Sequence, residues 1–158
     1  MSSSDVTEST SSEASELSSI DMALEVVQVP VSDIDRAKRF YQSLGWRFDI
    51  DLVVGDLRTV QFTPPHSACS IQFGRGRTAA KPGSAQGMYL VVSDIDAARD
   101  DLARRGVEVS EVTVQVPPGL DGSAGRSYFA TAMFSDPDGN SWVLQEVTKR
   151  LPGREWLD

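Results

Sequence analysis

One cysteine, one histidine and no long apolar run mark this 158-residue chain. The lone Cys69 cannot form an internal disulfide or supply a cysteine cage for zinc, and it fits a reducing, cytoplasmic compartment. The lone His66 excludes a metal centre or proton relay built from several histidines of one chain. Nowhere do apolar residues approach the ~18 in a row that a membrane helix needs, so no membrane partner is expected. Basic residues are scarce as well: 15 Lys and Arg stand against 23 Asp and Glu, a net charge of −8. Nucleic acid demands clustered positive charge, and is excluded as a partner.

The negative charge is concentrated at one end. Met1 to Asp21 holds nine serines and five acids, with no base and no aromatic. Such a stretch cannot bury enough apolar surface to offset its ordering entropy, so residues 1–21 read as a disordered tail. It lacks the basic start and apolar core of a secretory signal. Outside it, 18 acids face 15 bases. With 40% of the chain apolar, the remainder suffices for one domain, or two fused half-domains, with a real core.

From Leu24 to Val31 the residues alternate as in a strand, with Val27, Val29 and Val31 on one face and Leu24, Val26, Gln28 and Pro30 on the other. Ser32-Asp33 offers a helix N-cap, Ile34, Ala37, Phe40 and Tyr41 form an apolar stripe, and Gly45 supplies a left-handed stop. Strands follow over Arg47–Val53, Arg58–Thr63 and Ala68–Phe73. The second half repeats the first. Val31-Ser32-Asp33-Ile34-Asp35-x-Ala37 recurs 61 residues later as Val92-Ser93-Asp94-Ile95-Asp96-x-Ala98, and Gly45 returns in register as Gly106. That is an internal duplication of one strand-helix-three-strand unit. The second unit reads as Gly87–Val92, helix Ile95–Arg105, Val107–Val114, Ser127–Ser135 and Ser141–Val147.

The domain then spans 22–148, with units 22–74 and 87–148 joined by linker 75–86, and 149–158 forms an extension in which Trp156 and Leu157 cover a sheet edge or a neighbouring subunit. Glycines at 74 and 76 suggest a phosphate cradle, but a strand follows them where a helix is required. Val116 to Gly125 is either a plain connection or a lid. His66, behind Pro64-Pro65, reads as an exposed turn residue. Asp49 and Asp51 lie two apart and are expected on one strand face, with Phe48, Ile50 and Leu52 buried opposite. Asp136-Pro137-Asp138-Gly139-Asn140 is a tight turn rather than a calcium loop, since the later ligands are missing. Trp46, Phe134 and Trp142 read as packing residues.

A duplicated βαβββ unit, with Val-Ser-Asp-Ile-Asp opening each helix and Asp-Pro-Asp-Gly-Asn before the last strand, resembles the vicinal oxygen chelate superfamily of glyoxalases, bleomycin resistance proteins and extradiol dioxygenases. The resemblance implies an α+β fold: two tandem units whose curved, mostly antiparallel sheets surround a cup. It further implies a homodimer and, in many members, a divalent metal at the base of the cup. The residues at the family's ligand positions are Val26, Gly87 and Val143, with a fourth near Ile71 or Gln72. Valine and glycine offer no donor, so no cofactor is expected. The cup face is expected to carry Val26, Gln28, Gln72, Tyr89, Val91, Val143 and Gln145, with Gln61 or Phe62 nearby: greasy walls with a few amides, suited to a small-molecule ligand. The other reading is an enzyme of the same superfamily, an isomerase, lyase or dioxygenase, using a divalent metal or acid–base chemistry from Tyr89, Tyr128 or His66.

Overall fold

The computed structural model describes residues 16–120, 125–152 and 154. Most of the serine-rich segment, the middle of the Val116–Gly125 loop, and Trp156 and Leu157 lie outside them. The order is β1 (Val26–Gln28), α1 (Ile34–Ser43), β2 (Arg47–Val54), β3 (Leu57–Thr63), β4 (Ser70–Arg75), β5 (Met88–Val92), α2 (Ile95–Arg104), β6 (Thr113–Val114), β7 (Ala130–Ser135) and β8 (Ser141–Glu146). Two four-stranded sheets result, ordered β1-β4-β3-β2 and β5-β8-β7-β6. β1 runs parallel to β4 and β5 parallel to β8, while the other neighbours are antiparallel. The duplication read from sequence is thus a duplication of topology.

The repeated motif works as helix punctuation. Asp33 and Asp94 accept from the backbone N–H of Arg36 and Ala97, capping α1 and α2. Gly45 and Gly106 end the helices at φ +80° and +86°, where a Cβ would be strained.

Each sheet turns one face inward. Val60, Phe62, Ile71 and Phe73 from the first sheet meet Ala132, Phe134, Trp142 and Leu144 from the second, around Tyr41, Leu44 and Trp46. The Asp136–Asn140 turn ties the two units together. Tyr41 Oη donates to Asp136 Oδ2 at 2.8 Å and accepts from Trp142 Nε1 at 3.1 Å. Asn140 Nδ2 donates both to Asp136 Oδ2 and to the Pro30 carbonyl, each at 2.8 Å. Burial first, and then the Asp136 carboxylate, push the Tyr41 phenol far above its ordinary value, so it stays a neutral donor.

Three strands are shorter than sequence periodicity suggests. β1 stops at Gln28: the Val29 N–H makes the last ladder bond to β4, to the Gln72 carbonyl at 2.8 Å, and Pro30 follows. Of Val107–Val114 only Thr113 and Val114 pair with β7. β7 begins at Ala130, because residues 125–129 are turns in which Tyr128 adopts φ +71°.

Candidate functional site

The faces turned away from the core carry the candidate residues, divided between the two sheets. Register on the first sheet pairs Val26 with Ser70, Gln28 with Gln72, and Gln72 with Gln61. Gln61 therefore belongs to the outer face, and Phe62, the other candidate at that place, is fully buried in the core. Ile71 is buried on the core side as well. On the second sheet Tyr89 pairs with Val143 and Val91 with Gln145, beside Met133 and Thr131 of β7. Gln145 Nε2 donates to the Tyr128 carbonyl at 3.1 Å. Among the described residues no hydrogen bond links the two groups.

The three glutamines form one continuous row. Gln28 Nε2 donates to Gln72 Oε1 at 2.7 Å, Gln72 Nε2 to Gln61 Oε1 at 2.8 Å, and Gln61 Nε2 to Asp49 Oδ2 at 2.9 Å. Asp49 also accepts from Thr63 Oγ1 and, at 2.6 Å, from Arg47 Nε. Burial raises its pKa, but the bonds from Arg47, Thr63 and Gln61 outweigh that and hold the carboxyl below the usual carboxylate range. Arg77, from the connector after β4, reaches back to donate to Gln72 Oε1 at 2.9 Å.

Asp49 and Asp51 do not share a face. Phe48 pairs with Phe62 and Ile50 with Gln61, so Asp49 is the extra residue of a β-bulge. The bulge turns Asp49 to the glutamines and sends Asp51 to the helix side, where Lys38 and Arg58 hold it. Phe48, Ile50 and Leu52, expected buried, are 44%, 40% and 53% exposed: they sit on an edge strand whose outer rim no other strand among the described residues covers. Sequence pairs Asp49 with Asp51 rather than with the glutamines, and it does not mark Thr63 or Arg77 as site residues. The bulge has no glycine or proline to announce it, and Arg77 lies in a segment that reads as linker.

Val26, Gly87 and Val143 offer no side-chain donor, and the cross-strand partner of Val26 is Ser70. Among the described residues no three His, Cys, Asp or Glu side chains come together as a metal site. The donor set does not fit the divalent ion of the fold family. The remaining nucleophile is poor: burial first, then the Glu25 charge, push the half-buried Cys69 thiol up. His66 sits exposed in its turn at φ +63°. Tyr128 lies in a turn rather than a strand, and its Oη accepts from the Leu151 N–H at 3.2 Å.

Two hollows of the single chain lie beside these faces, and Tyr89, Val91 and His66 line the first. One of about 590 Å³ runs between the Pro64–Ser67 turn and β5 and α2, and one of about 550 Å³ lies under Leu120, Tyr128, Phe129 and Leu151. The glutamine row, half-buried, lines neither. No helix among the described residues is long and apolar enough to cross a membrane.

Duplicated strand-helix-three-strand units with outward-facing sheets define a vicinal oxygen chelate fold. The chain belongs to the Glyoxalase/Bleomycin resistance protein/Dioxygenase superfamily, whose family model matches residues 23–144. Among solved structures it is similar to TnmS3, an antibiotic binding protein from Streptomyces sp. CB03234, at 30% identity and a TM-score of 0.66, covering 83% of this chain and 99% of that one. A glyoxalase/bleomycin resistance protein from the same organism is 31% identical, covering 78% of this chain and 99% of that one, at a TM-score of 0.61. A superfamily member from Sphaerobacter thermophilus DSM 20745 is 28% identical, with 80% and 98% covered and a TM-score of 0.61. No curated protein matches the chain.

Proposed function

We propose that this protein binds a small organic molecule against its outer sheet faces without a metal centre, as a sequestering protein and not a catalyst. The observation that carries the reading is the glutamine row, which lines the face around Val26 with neutral amides in place of ionisable groups. Amides orient a ligand through donor and acceptor bonds but are poor proton-transfer groups. Asp49, the one carboxylate on the row, is occupied by Arg47, Thr63 and Gln61 and held ionised, which suits it to anchoring and not to general acid work. The likeness to an antibiotic binding protein supports the same conclusion.

The cup closes in a homodimer. The first sheet exposes Ile50 and Leu52 beside the glutamines, and the second exposes Tyr89 (60%) and Met133 (50%). A two-fold axis that sets the first sheet of one copy against the second sheet of the other covers both faces at once and forms two equivalent cups. Gln28, Gln61 and Gln72 then form the polar wall, and Tyr89, Val143 and Met133 the apolar one. Thermal-shift and calorimetric titration with an antibiotic panel that includes bleomycin tests the reading. Saturable binding that EDTA leaves unchanged supports it. No binding by any compound, or turnover of one, overturns it.

A further inference from the structure

The geometry points to a particular chemistry for that ligand: an N–H or O–H donor beside a C=O acceptor, as in a lactam, carboxamide or hydroxyketone, read by Gln28 and Arg77. This rests on the small-molecule reading and specifies its site.

A glutamine amide can be turned end for end, and only its partners decide which end points where. Here both kinds of fixed partner are present. Ionised Asp49 can only accept, so Gln61 must turn its NH2 to it and its carbonyl to Gln72. Gln72 in turn gives its NH2 to Gln61 and its carbonyl to Gln28. Arg77 can only donate, and its bond to Gln72 Oε1 demands the same orientation from the opposite side. Gln28 must then spend its NH2 on Gln72 and turn its own carbonyl outward.

That carbonyl, Gln28 Oε1, is buried without a partner, and so is Arg77 Nε. Buried polar atoms are almost always paired, so each calls for a partner that the single chain does not provide. One accepts and the other donates. Each belongs to the same planar group as an atom bonded to Gln72 Oε1, so the amide and the guanidinium meet at one oxygen. A donor–acceptor edge satisfies both together. A bare carboxylate would satisfy Arg77 and oppose the Gln28 carbonyl, and an ammonium would do the reverse.

The Arg77 stem has a bed prepared for it. β4 presents Ser70, Gln72 and Gly74 to this face, and a Cβ at Gly74 would come within 3.3 Å of Arg77 Cγ, besides striking the Arg58 carbonyl. Among the described residues a single hydrogen bond tethers the guanidinium, so it can lift to admit a ligand and settle over it.

The test titrates the full chain with 2-quinolone and its N-methyl derivative, and with 3-hydroxyflavone and 3-methoxyflavone. The wild type is expected to bind each unmethylated compound about tenfold or more tightly than its methylated partner, the loss expected when a buried acceptor goes unpaired. Gln28→Leu should reduce that ratio to within about twofold, whereas simple steric exclusion of the methyl group would survive the substitution. Asp49→Asn, nearly isosteric, frees one end of the row while Arg77 still holds the Gln72 carbonyl, so it should lower the ratio only in part and leave the circular dichroism spectrum unchanged. Equal binding within a pair, no binding of either unmethylated compound, or a ratio that persists in Gln28→Leu overturns the inference. Failure of the small-molecule reading itself shows separately, as silence across the antibiotic panel.

Discussion

Asp49 and Asp51, two residues apart on one strand, project from opposite faces of the first sheet. Asp49 is itself the extra residue between the Phe48–Phe62 and Ile50–Gln61 pairs, and that bulge divides the work of the two carboxylates. Asp51 joins sheet to helix through Lys38 at 2.9 Å and Arg58 at 2.9 and 3.0 Å. Asp51→Asn should therefore destabilise the fold by about 1–3 kcal/mol and leave ligand affinity unchanged. Asp49→Asn should change affinity with a smaller effect on stability. Urea unfolding and ligand titration of both variants check the division, and interchanged effects would refute it.

Tyr41 holds the two units through one hydroxyl. Tyr41→Phe leaves a buried carboxylate short of a donor and the Trp142 N–H without an acceptor. The expected loss is about 2 kcal/mol or more of unfolding free energy. A loss under about 0.5 kcal/mol, within the range of an ordinary surface change, would show that the link is dispensable.

Asp35, Asp49 and Asp51 are all held below the ordinary carboxylate range. For Asp35 and Asp51 the Arg58 hydrogen bond is the largest cause, while for Asp49 the bonds it accepts outweigh burial. Groups with lowered folded-state values contribute stability that is fully present above the unfolded value, near pH 4, and is lost as pH falls through the folded values. Melting temperature should thus hold from neutrality to about pH 5 as far as these groups decide it, and fall steeply below pH 4. The double variant Asp49→Asn, Asp51→Asn should flatten that fall; an equally steep decline would place the acid sensitivity elsewhere.

The proposed homodimer predicts that a charge on the outer face blocks association. Leu52→Glu should sediment as a monomer with an unchanged circular dichroism spectrum, while the wild type sediments as a dimer at micromolar concentration. A monomeric wild type would remove the second copy from the account.

The sequence carried the fold through its repeats. Asp33 and Asp94 mark the helix starts, Gly45 and Gly106 the ends, and Asp136 to Asn140 the turn that joins the units, because each acts through its own backbone neighbours. The site was legible only in part. Gln28 and Gln72 share a face by simple alternation, but whether Gln61 or Phe62 joins them depends on register, which no local pattern fixes. The Asp49 bulge inverts the face of every later residue of β2 without any special residue to signal it. Arg77 acts across the sheet from a connector, and sequence spacing says nothing about where a long side chain folds back. Tyr128 looked like a strand residue because aromatics favour strands, yet its positive φ places it in the turn before β7.

The central claim is metal-free recognition by an amide-lined face. Its most direct test is a calorimetric titration of the tightest binder from the antibiotic panel into protein dialysed against EDTA. An affinity equal to that of undialysed protein is the predicted result. An affinity lost on dialysis and restored by zinc, nickel, manganese or iron would contradict it.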